Sequence, residues 1–321
     1  MKKKMFLVPF LLASTLSFFI ATFPFGAAVL PDDEVEALRE IAETLGKTDW
    51  NFSADPCSGS QYGWIKPNQP KGFENNVTCG NCSSSSSSNG TVCHVVIILL
   101  KGQNLSGTLP PNLASLPYLQ QFDLTRNYRN YLNGSIPPGW GSSPQLVDIS
   151  VLGNRLTGSI PKELGNITTL KSFVVEFNNL SGNLPPELGN MSSIERFHLT
   201  SNNFTGDLPD SFASLINLKE FRISDNQFSG KIPNYIQNWT KLEKLAIQAS
   251  GLSGPIPPGI DLLKNLNDLR ISDLNGSEES FPLLNTLIPK LQVLILRSCN
   301  ITGQLPEYFD QNMTQLETLL V

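Results

Sequence analysis

The sequence predicts a right-handed α/β solenoid of stacked turns with a parallel sheet on its concave face. Seven consecutive good copies of the motif L-x-G-x-[I/L]-P recur, and the last five steps between them are each 24 residues. A second pattern, L-x-x-L-x-L-x-x-N, precedes these copies and alternates apolar residues as a short strand does. One such turn cannot bury its own leucines, so stacking must supply the core. The copies begin at Leu105, Leu132, Leu156, Leu180, Phe204, Phe228 and Leu252, with a degenerate copy at Leu274 and a good one at Ile301.

Residues 1–28 are typical of a secretory signal peptide. Lysines at 2–4 precede an apolar stretch at 6–25, and small residues follow at 26–28. The stretch approaches the ~20 residues of a membrane span, so a signal anchor is the alternative. Pro9, Pro24 and the small residues favour cleavage. We expect no other membrane-spanning segment within these 321 residues.

Residues 29–95 predict an N-terminal cap. Residues 31–45 place apolar side chains at helical spacing, acidic residues fill the first turn, and Gly46 stops the helix. Trp50, Cys57 and Trp64 then indicate a disulfide-stapled cap over the first repeat. The serines at 83–88 indicate a flexible loop. Residues 96–321 are interpreted as about nine repeats, the last one incomplete.

Four clustered cysteines in an exported chain predict two disulfides. Of the three pairings, we favour Cys57–Cys79 with Cys82–Cys93. The C-x-x-C spacing of Cys79 and Cys82 also suits zinc, but no second ligand pair completes a site, and we predict no metal and no cofactor. Cys299 stands where the repeat has asparagine, which predicts a buried free thiol; a reactive or intermolecular cysteine is the alternative.

Many N-glycosylation sequons in a chain with a signal peptide indicate a heavily glycosylated surface. We expect the glycans on the convex side and flanks, where they would limit how partners approach. The sequons lie at Asn51, Asn76, Asn81, Asn89, Asn104, Asn133, Asn166, Asn179, Asn190, Asn203, Asn238, Asn275, Asn300 and Asn312.

The asparagine that ends each strand pattern is expected to bond the backbone of neighbouring turns. Ser250, Leu274 and Cys299 replace it in later turns. The first step between motif copies is three residues longer than the steps that follow, because Arg-Asn-Tyr is doubled at 126–131. This insertion should loop out of the stack. Residues 274–296 are irregular and acidic at 278–279, which predicts a bulged turn.

Variable strand positions should form columns on the concave face, and these carry the predicted ligand-binding residues. One column is Asp123, Ser150, Val174, His198, Arg222, Ala246 and Arg270; its neighbour is Gln121, Asp148, Ser172, Arg196, Glu220, Lys244 and Asp268. The hypothesis is a basic strip that binds an acidic peptide or an anionic wall oligosaccharide. The alternative is a solvated face with internal ion pairs. The candidate residues are Glu176, Phe177, Arg196, His198, Glu220, Arg222, Lys244 and Arg270.

Composition and motifs argue against two function classes. The net charge of −5 and the 16% charged content lack the basic stripe that a nucleic-acid binder needs. His94 and His198 have no nucleophile motif around them, and carboxylates on separate turns give no recognisable acid/base pair. We therefore predict no catalytic residues, and we place His94 at the cap junction.

Three segments resemble plant leucine-rich-repeat (LRR) receptor-like serine/threonine kinases of the subgroup with a malectin-like domain. They are QNLSGTLP at 103–110, LTGSIPKELGNI at 156–167 and NWTKLEKL at 238–245. The cap and the 24-residue repeat resemble the plant-specific type, and the resemblance covers nearly all of 30–321. It implies an extracellular sensing region, at the plasma membrane, that binds a peptide, oligosaccharide or protein ligand and a co-receptor. The malectin-like, transmembrane and kinase regions of the family do not occur in this sequence, so we interpret it as an ectodomain fragment, a truncated gene model or a shortened secreted form. The alternative function is a stand-alone secreted LRR protein, such as a polygalacturonase-inhibitor-like defence protein in the apoplast.

Overall fold

The computed structural model describes residues 28–57, 64–84, 91–127, 131–309 and 314–321. The predicted signal peptide, most of the serine-rich loop and the centre of the doubled Arg-Asn-Tyr segment lie outside the described residues. Within them, successive turns of the chain stack into a solenoid around a continuous apolar core. The predicted solenoid with a parallel concave sheet is confirmed.

The concave sheet has eleven strands in the described part of the chain. Its first two, Glu74–Ser84 and Thr91–Lys101, pair as an antiparallel hairpin, and every later strand is parallel to its neighbour. The parallel strands are three or five residues long, because the chain crosses the sheet only briefly in each turn of the solenoid. They are Gln121–Asp123, Asp148–Ser150, Ser172–Val174, Arg196–His198, Glu220–Arg222, Lys244–Gln248, Asp268–Ser272, Val293–Arg297 and Thr318–Leu320.

The register of this sheet reproduces both predicted columns. Asp123, Ser150 and Val174 are successive partners, and the line continues through His198 to Arg270. Register is strongly specified here since a slip of one residue would turn the buried leucines and phenylalanines outward.

The convex side is built from short 3-10 segments that begin after a proline in extended conformation. Proline fixes φ and lacks an N–H, so it ends the preceding extended stretch and suits the start of a helical turn. The segments are Pro138–Ser142, Lys162–Asn166, Pro186–Asn190, Asp210–Ser214, Asn234–Asn238, Pro258–Leu262 and Glu307–Phe309. Short flank strands connect the two sides at Thr157–Gly158, Asn179–Asn183, Asn203–Gly206, Gln227–Phe228, Glu279–Ser280 and Ile301–Thr302.

The predicted asparagine ladder is present. Asn178 is buried, and its side-chain amide donates to the carbonyls of Val151 in the previous turn and Val175 in its own, both at 3.0 Å. Its Oδ1 accepts the backbone N–H of Leu156 at 3.1 Å. Each ladder residue therefore satisfies backbone groups that the stack removes from water. Asn127, Asn154, Asn202 and Asn226 make the equivalent bonds.

The cap is a helix, a hairpin and two disulfides. The helix is Asp32–Leu45, and Gly46 closes it at φ 69°. The favoured pairing, Cys57–Cys79 with Cys82–Cys93, is confirmed. Trp64 is fully buried, its ring centroid 4.9 Å from that of Trp50.

His94 lies at the cap junction, as predicted. Its Nδ1 lies 2.5 Å from Oε1 of Glu34, whose other oxygen accepts the Val95 N–H at 2.9 Å. Glu34 is 1% exposed, so the first helical turn anchors the cap to the sheet through a buried carboxylate. From the sequence, the acidic residues of the first helical turn were expected to interact only with the helix dipole, and this contact was not predicted.

The irregular turns keep the stack intact. Asn127, the second residue of the doubled segment, and Asn154, one turn later, still make ladder bonds, so the insertion leaves the register unbroken. Between Asp268 and its partner Val293 the step is one residue longer than the 24-residue steps before it. The extra length is absorbed outside the sheet, where residues 285–290 form turns.

Candidate functional site

The predicted ligand-binding residues gather on the concave face around two shallow depressions. One, of about 310 Å³, is lined by Glu176, Phe177, Arg222, Lys244 and Arg270 among others. The other, of about 390 Å³, includes Arg196 and Glu220 in its wall. His198 lies on the same strand as Arg196. Because neighbouring parallel strands are about 4.8 Å apart, side chains from successive turns converge here.

Glu220 is the centre of the charge arrangement. Its Oε2 accepts from the Arg222 guanidinium at 2.7 Å and lies 3.2 Å from His198 Nε2. Its Oε1 lies 3.6 Å from Lys244 Nζ. The adjacent His198, together with the nearby cations Arg222 and Lys244, lowers the pKa of Glu220 to about 2, although its partial burial opposes the shift.

Two further cations of the face are also paired. Arg196 lies 3.4 Å from Asp148, two turns back along the sheet. Arg270 forms a two-pronged bond to Asp268, Nε at 2.6 Å and NH2 at 3.0 Å, which raises the pKa of the arginine. The structure thus brings the predicted basic residues together, but they form ion pairs with neighbouring carboxylates. The face carries an organised, nearly balanced charge pattern in place of a bare cationic strip.

His198 sits between two carboxylates from adjacent turns. Its Nδ1 lies 3.7 Å from Oε2 of Glu176, and its Nε2 faces Glu220. The ring and Glu176 are both only 7% exposed. This carboxylate–imidazole–carboxylate row runs across the strands at the edge of the first depression.

Phe177 is the aromatic element of the site. It is 57% exposed at the rim of the first depression, as predicted, and its φ is 56°. A left-handed backbone is a standing feature of this position after the strand: Gly153 occupies it one turn earlier and Ser201 one turn later. Large aromatic residues are uncommon in this backbone conformation and on solvent-facing surfaces. Phe177 combines both unfavourable features, a left-handed backbone and an exposed apolar ring.

The site also contains acidic residues that were not among the predicted ligand-binding candidates, although two of them stand in a predicted column. Asp148, Asp268 and Asp225 lie beside the predicted cations, and Asp225 lines the first depression. Burial and the neighbouring Asp123 raise the pKa of Asp148, while Arg196 opposes the shift. The signal was present in the spacing: residues two apart on a strand share a face, so Glu220-x-Arg222 and Asp268-x-Arg270 form pairs.

The sequons lie away from these strands. None falls on the nine parallel concave strands of the described chain. Asn166, Asn190 and Asn238 end convex 3-10 segments, and Asn179 and Asn203 begin flank strands. All five are exposed, so carbohydrate at these positions would leave the concave face open.

Two features of other protein classes do not occur in the described part of the chain. No cluster of three or more histidine, cysteine or acidic side chains suited to a metal ion is found among them. None of the helices they form has the length and apolar character of a membrane span.

The repeats match a known family. The Leucine Rich Repeat family matches residues 169–191, 193–215, 217–239 and 290–312. The solenoid is built of leucine-rich repeats. A probable leucine-rich repeat receptor-like serine/threonine-protein kinase of Arabidopsis thaliana is 57% identical over 129 residues, 40% of this chain and 12% of that protein. The chain thus spans about an eighth of this relative's length.

Solved LRR structures share the architecture. A TDR receptor structure is 32% identical over 66% of this chain and 36% of its own, with a TM-score of 0.61. The Arabidopsis receptor kinase HAESA, solved with the peptide hormone IDA and the co-receptor SERK1, is 27% identical over 89% of this chain and 45% of its own, with a TM-score of 0.65. The LRR chain is therefore similar to plant LRR receptor kinases in sequence and to their ectodomains in structure.

Proposed function

We propose that this chain is the extracellular sensing region of a plant LRR receptor-like kinase. Its concave face binds a peptide, with a wall-derived oligosaccharide as the other ligand class and a co-receptor as a protein partner. We place it in the secretory pathway and then at the outer face of the plasma membrane, with residues 1–28 as the signal peptide and glycans on the flank and convex sequons. The kinase reaction belongs to the longer relatives.

The observation that carries the proposal is the grouping of Phe177 with ordered charges beside parallel concave strands that carry no sequon. Glu176, Arg222 and Arg270 line one depression with the aromatic ring, so apolar and charged contacts are available together. Pre-paired side chains are held in place before a ligand arrives, which lowers the entropy lost on binding. The similarity to HAESA, solved with a peptide hormone and a co-receptor, favours a peptide.

To test the proposal, extracellular peptides are passed over the immobilised chain, and the peptides that it retains are identified by mass spectrometry. The double variant Arg196→Glu, Arg222→Glu reverses two charges of the concave face and should abolish retention of any specific ligand. A pool of wall-derived oligosaccharides is passed over the same surface to test the second ligand class.

The matched control is Lys162→Glu, a charge reversal on the exposed convex side. Circular dichroism and thermal melting establish that each variant is folded. Ligands retained equally by the double variant, the control and the parent chain would contradict a concave binding site.

A further inference from the structure

Beyond ligand binding itself, the concave face contains an imidazole buried between two carboxylates. Histidine is the side-chain type whose charge changes between about pH 5 and 8. His198 is one of two histidines in the chain, and it is 7% exposed between Glu176 and Glu220. The other, His94, lies in the cap.

The charges packed around His198 are balanced when the ring is neutral. Glu176 faces it from the preceding turn and Glu220 from the following one. Arg222 pairs with the same Glu220 oxygen that faces the ring, and Lys244 lies near the other oxygen. Arg196, on the histidine's own strand, is paired with Asp148. Two carboxylates therefore oppose two cations at the ring.

Protonation changes what the ring can do. A neutral imidazole places no net charge between the two carboxylates, whereas an imidazolium places a positive charge 3.7 Å from Glu176 and 3.2 Å from Glu220. The protonated ring also competes with Arg222 and Lys244 for Glu220, and these two cations line the first depression.

We propose that His198 makes the concave site pH-responsive, so that acidification strengthens binding of a ligand carrying carboxylates. One positive charge is added beside the depression, and the hold of Glu220 on Arg222 and Lys244 is loosened. Both changes favour an incoming anion. The inference rests on the proposed function, because it assigns a regulation to the proposed ligand site.

The test uses a fluorescent hexa-aspartate peptide as the probe, with affinity for the whole chain measured at pH 5.5 and 7.5. The parent chain should bind about threefold to tenfold more tightly at pH 5.5, the size expected for one added charge at a partly screened surface. His198→Gln should remove that ratio. Lys162→Gln, on the convex side, should leave it unchanged.

A second measurement separates a proton at His198 from a folding effect. Nitrogen NMR of ring-labelled histidine, assigned with His198→Gln, should show both ring nitrogens of His198 carrying hydrogen at pH 5.5 and one at pH 7.5. A ring that keeps one N–H at pH 5.5 overturns the inference, as does a probe affinity independent of pH or of His198, or no probe binding at pH 5.5. Retention of a natural peptide in the preceding experiment would survive those results, so the two failures are distinguishable.

Discussion

The Cys299 thiol donates to the carbonyl oxygen of Ile271 in the previous turn, at 3.5 Å. It also lies 3.4 Å from the Arg297 carbonyl of its own turn. Ladder asparagines bridge the same two kinds of carbonyl, so the cysteine occupies the ladder position with a weaker donor. The side chain is 7% exposed, and the thiol is free.

This placement predicts an unreactive thiol. Burial raises the pKa of Cys299 to about 11, with Asp273 and Glu279 adding to the shift. The thiolate is the nucleophile, and only about one thiol in a thousand would be ionised at pH 8. Iodoacetamide should therefore modify the native chain at pH 8 very slowly and the guanidinium-unfolded chain rapidly, as followed by intact mass.

Cys299→Ser is the control, since it should show no modification in either state while the disulfides remain closed. Rapid modification of the folded parent chain would contradict a buried ladder thiol and would favour the reactive cysteine that the sequence left open.

Substituting the ladder itself should be far more damaging. Asn178→Ala removes the donors to Val151 and Val175 and the acceptor for Leu156, leaving buried backbone groups unpaired. Each unpaired group costs about 1–3 kcal/mol, so the free energy of unfolding should fall by roughly 3 kcal/mol or more. Urea unfolding followed by circular dichroism measures this. Asn234→Ala, on the exposed convex side, should change the midpoint little, and equal effects of the two would rule out a special role for the ladder.

The sequence predicted the repeating parts of the fold because a strict period constrains them. The 24-residue step and the period-2 alternation at Phe173 and Val175 fix which residues face inward, so both concave columns follow once neighbouring turns are stacked. The exposure of Phe177 and the role of Cys299 follow from the same alignment. The disulfide pairing was a preference among three, and the structure confirms it.

The non-repeating parts of the fold were harder to predict from the sequence. The cap was predicted from the sequence, but the hairpin of Glu74–Ser84 and Thr91–Lys101 was not, although Asn89-Gly90 directly before the second strand is a pair typical of hairpin turns. Nor did the sequence predict the burial of Glu34, whose partner Val95 lies 61 residues away. Ion pairing on the concave face depends on side-chain rotamers across several turns, as between Arg196 and Asp148, and a column of residue types does not specify rotamers.

Acid should selectively weaken the arrangement around Glu220. Its pKa in the folded state, about 2, lies below the ordinary value of 4.5, so the ionised carboxylate stabilises the fold above about pH 4.5 and this contribution disappears as the pH falls toward 2. Glu220→Gln should lower the free energy of unfolding at pH 6 by about 1–2 kcal/mol, after allowance for solvent screening of a partly exposed group. At pH 2.5 the difference from the parent chain should have largely closed.

Urea unfolding at the two pH values makes the comparison. Glu187→Gln, on the exposed convex side, is the matched control and should have little effect at either pH. A penalty for Glu220→Gln that is the same at pH 6 and 2.5 would show that the glutamate acts through packing and not through its charge.

Phe177 offers a way to separate binding from stability. With φ at 56° and 57% of its surface exposed, it gains little from burial and adopts a backbone conformation that glycine accepts freely. Phe177→Gly should leave the free energy of unfolding unchanged or raise it by up to about 1 kcal/mol, since relief of backbone strain is offset by the greater freedom of glycine in the unfolded chain. Retention of the natural ligand should nevertheless be lost, because the apolar rim of the depression is gone. Ser201→Gly makes the same backbone change one turn later without removing an aromatic ring, so it should preserve retention. If Phe177→Gly instead destabilised the chain by several kcal/mol, the ring would be serving the fold, and its assignment to the ligand site would be wrong.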